Sequence, residues 1–430
     1  MTLLTAVALA LAPAQDPQDG DLFEWARKLD AMNTAWTWGD FTFEVAGQLD
    51  LEVFLIDEEA PGIHVEDPAI RDGKYERDER QVDDPEALLR LSVFLNTFYR
   101  DWLESTLELR IDGTTAQDGH AGARFEQAWV RATAPDQPAL NGQIGKFAAP
   151  IGNFIPRSSS KKNPLTTWPL PYDLPTSLTD LGNDPASLRQ TRDDPDLKDW
   201  FVPIWQAVYA WGLMTFGTWE DLSWWASVQT SAPATLPEDW DHDVADPDFA
   251  NVYLRAAYRV HETTTVGASF SRGAYSKSDA EAGGPGPGPG PGPGGSVAGD
   301  GEDYDQTLFG LDAAFGRGLW EVYAELFWTR LETPGTDDLE LWTGYVEGKY
   351  AVTPALHVAA RLGRMTFDEI DDPAGGGSFR WDRAVSRAEL GAGYFFTANF
   401  FAKTTLQLNT HHGGREPDDH MLMFQVGLGF

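Results

Sequence analysis

Charged residues in this chain recur at every second position of long alternating runs, and a further group of lysines and arginines gathers in a stretch with no such period. With the apolar parity of each run taken as outward, the inward parity collects Arg90, Arg110, Arg255, Arg259, Lys349, Arg361, Arg387 and Lys403 against Glu44, Asp50, Glu52, Glu104, Glu108, Glu321, Glu325, Glu347 and Glu389. The aperiodic stretch, residues 148–200, is entered through Lys146. It carries Arg157, Lys161 and Lys162, then Trp168-Pro169-Leu170-Pro171-Tyr172, then Asp193, Asp194 and Asp196. A structureless connection of this length is usually functional or disordered. Charges facing water in this way select by width and sign and make no bonds. The expected constriction bases are Lys146, Arg157, Lys161, Lys162, Arg90, Arg110, Arg361, Arg387 and Lys403, and the opposing acids are Glu44, Glu52, Glu321 and Glu325. Acids concentrate on the first, third and eleventh runs and bases on the thirteenth to fifteenth, which predicts a transverse field. The bland alternative for any one of them is a solvated charge paired with its neighbour, because exposed pairs contribute little.

Other chemistries find little support. No Gly-x-Ser-x-Gly elbow, phosphate-binding loop, His-Glu-x-x-His or dinucleotide fingerprint occurs, so neither an enzyme nor a bound cofactor is expected. Cys is absent, which excludes disulfides, zinc–thiolate sites and thiol catalysis. His411 and His412 lack partners at metal-ligand spacing. A net charge of −35, from 67 acidic against 32 basic residues, argues against nucleic-acid binding, which needs a basic face.

The elements that position these charges are strands. From Phe41 onward apolar and polar residues alternate in sixteen runs, for example Phe41, Phe43, Val45, Leu49, Leu51 and Val53 against Thr42, Glu44, Gln48, Asp50 and Glu52. The runs cover 41–55, 87–99, 102–112, 122–133, 138–147, 203–216, 220–231, 249–262, 264–275, 305–316, 318–331, 340–352, 355–367, 384–396, 399–410 and 420–430. The faces of 122–133 and 138–147 resist assignment. Short links alternate with long polar ones, and Trp102, Trp219, Trp320, Trp342, Tyr394 and Phe400 stand near run ends as two aromatic girdles would. These features predict an all-β fold, a 16-stranded antiparallel transmembrane β-barrel with short periplasmic turns and long extracellular loops. The alternative is a soluble β-protein, whose strands would be shorter.

Ahead of the barrel, residues 1–14 end in Ala12-Pro13-Ala14 and read as a signal peptide, and 15–40 as a periplasmic lead-in with an amphipathic helix over 21–38. No later apolar run reaches the ~18 residues a spanning helix needs. Within 41–430, residues 148–200 form the expected constriction loop, and 277–303, with its Gly-Pro repeat, a mobile or polyproline-like extracellular loop. Asp239 to Asp243 and Glu416 to Asp419 are candidates for divalent cations that bridge to lipopolysaccharide, with merely solvated acidic loops as the alternative.

Two segments resemble a known group. MLMFQVGLGF, closing on Phe430, is similar to the C-terminal strand that the barrel-assembly machinery recognises in Gram-negative outer-membrane proteins. Gly145-Lys146-Phe147-Ala148-Ala149-Pro150-Ile151-Gly152 resembles the Gly-Lys/Arg-Phe-x-x-Pro-Phe/Ile-Gly element of the phosphate-selective porin O and P family. There the element opens the large third extracellular loop, and here too it opens the third long connection. The resemblance implies an outer-membrane porin, held in lipid and lipopolysaccharide and usually a homotrimer. It would pass small hydrophilic solutes or ions by diffusion, anions such as phosphate among them. From another class, a plugged barrel that binds a partner through its acidic loops stays open.

Overall fold

The computed structural model of the chain describes residues 34–56, 86–114, 121–134, 138–178, 184–193, 201–235, 250–278, 296–297, 303–333, 336–372, 376–413 and 420–430. The expected signal peptide, the Gly-Pro tract, Asp194, Asp196 and the acidic runs 239–243 and 416–419 lie outside the described residues.

Sixteen antiparallel strands close into a barrel. They are β1 Phe41–Ile56, β2 Glu86–Tyr99, β3 Leu103–Thr114, β4 Ala121–Thr133, β5 Asn141–Ala148, β6 Tyr209–Trp219, β7 Leu222–Gln229 and β8 Asn251–His261. The second half comprises β9 Thr264–Ser278, β10 Asp303–Arg317, β11 Trp320–Leu331, β12 Leu339–Ala351, β13 Leu356–Phe367, β14 Ala384–Phe395, β15 Phe400–His412 and β16 Met421–Gly429. Each strand pairs with its sequence neighbours. β1 also pairs with β16, from Gln48 opposite Gly429 to Ile56 opposite Met421, so the sheet has no open edge. The terminal Phe430 locks this seam: it exchanges backbone hydrogen bonds of 2.9 and 3.0 Å with Gly47, whose missing Cβ leaves room for its ring.

Burial is inverted relative to a soluble protein. Leu51, Leu89, Ile144, Leu213, Val260, Leu311, Val346, Leu362, Leu390 and Val426 are exposed on the outer wall. Asp50, Arg110, Asp112, Glu325, Glu347, Arg361 and Glu389 are buried on the inner one. Water would not tolerate so continuous an apolar surface, whereas lipid requires it, so the chain is a multi-pass transmembrane barrel. Trp36, Trp38, Trp102, Trp219 and Trp320 are exposed at the end bearing the short turns, as one aromatic girdle.

Three local expectations fail for identifiable reasons. The end of the expected helix over 21–38 is a strand, Ala35–Trp38, paired with residues 41–44 of β1 through a turn at Gly39. It covers the edge of β1 that β16 does not reach. The expected strand over 203–216 begins only at Tyr209, because 203–208 belong to the preceding loop. The faces of β4 resisted assignment because a bulge between Glu108 and Leu109 of β3 sets an extra residue, Glu126, into β4 and breaks the two-residue period.

Candidate functional site

The connection between β5 and β6 leaves the wall after Ala148 and is seated on inward side chains from β8 to β15. Gly152 donates its N–H to the Ser269 hydroxyl at 3.1 Å. Glu325 then accepts from the N–H groups of Asn153 and Phe154, the latter at 2.9 Å, and from the Tyr172 hydroxyl at 2.8 Å. Burial, reinforced by the charge of Glu325, pushes the Tyr172 phenol well above its ordinary range, which keeps it a donor. Gly152 has φ +57°, and a Cβ there would run into Glu325 and Tyr172, so this turn requires glycine. Pro150, Pro156, Pro164, Pro169 and Pro171 fix φ along the path and remove N–H groups that would otherwise need partners inside the barrel. Phe154, Leu170, Tyr172 and Trp205 pack with Tyr253, Phe327, Tyr345 and Met365 of the wall and with Trp381 of the β13–β14 connection into a hydrophobic core inside the barrel.

Charged anchors continue the seat. The Lys403 ammonium donates to the carbonyls of Ser160, Asn163 and Leu165 at 2.6, 2.9 and 3.0 Å. Thr166 donates its N–H to Thr405 at 3.0 Å, and the Thr167 hydroxyl donates to Glu389. Arg387 reaches Asp173 at 2.6 Å. Further on, helix α1, Pro185–Asp193, is tied to the β13–β14 connection through Arg189 to Asp372 and through Arg383 to Asp193.

These contacts correct much of the expected constriction. Arg361 is fully buried between Glu347 and Glu389, at 2.6 and 3.2 Å, and also donates to the Thr167 carbonyl. Arg157 is held by Glu347 and Tyr345. Arg361, Arg387, Lys403 and Arg157 therefore clamp the loop instead of facing solute, and Glu325 is its backbone acceptor instead of an opposing acid. Inward parity cannot distinguish a side chain facing water from one facing a packed loop. With the bases of β13 to β15 consumed in this way, the expected transverse field has no source there. Glu321 pairs with Lys349 at 3.0 Å, and Glu44 lies opposite Asn96 toward the short turns. Lys146 shares the outward parity of Ile144, opposite Ala128 and Trp211, and is buried in the wall. Arg259 sits at the short-turn rim, 3.8 Å from Asp221.

What stays open is a cavity of about 730 Å³ beside the loop, with Arg90, Arg110, Arg131 and Arg255 on its wall side, Asp50 and Glu108 among them, and Lys161 and Lys162 on its loop side. Arg90 and Arg110 line it, and each is paired. Asp112 accepts from Arg90, Arg110 and Arg124 at 3.0, 3.0 and 3.1 Å. Glu126 accepts from Arg110 and Arg124 at 2.9 and 2.7 Å, and Glu52 lies 3.5 Å from Arg90. Arg255 holds Asp312 at 2.9 Å. Lys161 and Lys162 differ: the first donates to the Asn399 side chain at 2.5 Å, the second to the Pro156 carbonyl at 3.3 Å, and both are exposed. Sequence reasoning missed Asp112, Arg124, Glu126 and Arg131; three of them lie on β4, whose bulge hid its faces.

No protein-family model matches the chain, and no curated protein matches it. Among solved structures it is similar to OmpT, an outer membrane protein of Vibrio cholerae, with a TM-score of 0.52 and 10% identity over 93% of this chain and 100% of that one. It is similar to the anion-selective porin from Comamonas acidovorans, with a TM-score of 0.53 and 9% identity over 91% and 100%. The outer membrane channel DcaP of Acinetobacter baumannii gives a TM-score of 0.51 and 12% identity over 91% and 97%. At such identities the likeness is one of fold: the chain has the sixteen-stranded barrel architecture found in outer-membrane porins.

Proposed function

We propose that this protein is an outer-membrane porin that passes small hydrophilic solutes and ions by diffusion through a lumen narrowed by residues 149–208, with a preference for anions, phosphate among them. One observation carries the preference. Lys161 and Lys162 border the open cavity, and among the described residues their hydrogen bonds go to neutral acceptors. The two acids that line the cavity, Asp50 and Glu108, are buried and held by neutral donors, the first by Gln48 and Ser160 and the second by Gln127, whereas both ammonium groups are exposed to the lumen and so set the local sign. The fold of the Comamonas anion-selective porin is compatible with such a role. Purified protein in planar bilayers is expected to give stepwise, ohmic conductance; membranes that stay silent at protein amounts sufficient for insertion would sink the reading.

A second reading has its own support. The hydrophobic core inside the barrel fills much of the lumen beside β8 to β14, and a lumen closed at every level would make the chain a plugged barrel that works through its surface loops. Liposome swelling separates the two: swelling in arabinose favours the porin, and no swelling favours the plug.

A further inference from the structure

We infer that the lumen carries a binding station for planar organic carboxylates, built by the Arg131 guanidinium lying on the Trp129 indole. The inference rests on the porin reading and names a solute class for it. Trp129 lines the open cavity from β4, an inward position, unlike the girdle tryptophans. Its ring is fixed because the indole N–H donates to Gln127 at 3.2 Å, and Gln127 in turn donates to Glu108 at 2.8 Å. Arg131 stands 4.5 Å from the Trp129 ring centroid and 5.4 Å from that of Phe216, and its Nε donates to Gln143 at 2.9 Å. The guanidinium is thereby held over aromatic surface at the cavity lining.

The charge partner of Arg131 is what makes the station available. Arg110 and Arg124 are bound to carboxylates that are almost fully buried, whereas among the described residues Arg131 pairs only with Glu104, at 3.5 Å, and both of these side chains are about a third exposed, 33% and 34%. An incoming carboxylate can exchange with so open a pair. An inorganic oxyanion gains nothing from the neighbouring indole. A carboxylate on a flat ring gains both the bidentate guanidinium and a stacking face.

The test uses the full chain in planar bilayers, with benzoate, acetate and inorganic phosphate added to potassium chloride. Benzoate is expected to reduce chloride current at a concentration about tenfold below that needed for acetate or phosphate, the size of step one stacked contact supplies. In Trp129→Ala and in Arg131→Gln, benzoate and acetate are expected to block alike. A conducting wild type that does not distinguish benzoate from acetate, or a Trp129→Ala channel that still does, overturns the station while leaving the porin reading intact. Silent membranes instead remove the porin reading. Calorimetric titration of benzoate onto the detergent-folded protein then decides the station alone: heat that vanishes in Arg131→Gln supports it, and no heat from the wild type overturns it.

Discussion

Glu325 shows what a buried charge does inside this barrel. Its carboxylate accepts two backbone N–H groups and one phenol from the loop, which leaves it no free role toward solute. Each donor left unpaired in that setting costs about 1–3 kcal/mol. Glu325→Ala is therefore expected to loosen residues 152–172, raising unitary conductance and exposing the segment to protease; unchanged conductance and nicking would contradict the seat. Arg361→Met breaks a fully buried pair, and removal of one partner from such a pair costs about 3–5 kcal/mol. Its expected signature is a lower unfolding temperature together with the same rise in conductance. Charge position was legible in the residues, since Glu325, Arg361, Arg387 and Lys403 all have the inward parity read from alternation. Their partners in the loop were not legible, because the groups they bind there lie some 150 to 240 residues away in the chain.

The strands themselves were close to readable, because lipid outside and a polar inside impose a two-residue period that water-soluble sheets impose only weakly. What escaped were interruptions of that period. The bulge across Glu108 and Leu109 costs β4 its alternation, and the Ala35–Trp38 strand is too short to carry any. Helix α1 was also missed, although Asp184 marks it: its carboxylate accepts from the N–H groups of Ala186 and Ser187 at 2.8 and 3.2 Å, with Pro185 in the first turn. The Ser187 hydroxyl bond, aided by those N–H groups, lowers the Asp184 pKa below its ordinary value. A lowered folded-state value means that this stabilisation is complete above the ordinary carboxylate range and fades as pH falls through the folded one. Asp184→Ala is expected to weaken the helix by ~1 kcal/mol. Faster hydrogen exchange at the amides of 186–188 would report this; unchanged exchange would show that the α1 contacts to Asp372 and Arg383 suffice alone.

At the scale of the molecule, a net charge of −35 pulls against the anion preference proposed here. Charges farther than about 8–10 Å from a permeating ion are largely screened at physiological salt, so the sign should be decided where the path is narrowest. We place that stretch at the cavity beside the loop, where the lining acids Asp50 and Glu108 are buried and held by neutral donors, while Lys161 and Lys162 are exposed and, among the described residues, donate to neutral acceptors. The most direct test is the reversal potential across a bilayer separating high from low potassium chloride. The account predicts the sign of a chloride-preferring channel, moved toward potassium by Lys161→Glu combined with Lys162→Glu. A potassium-preferring wild type, or a preference indifferent to both substitutions, would contradict it.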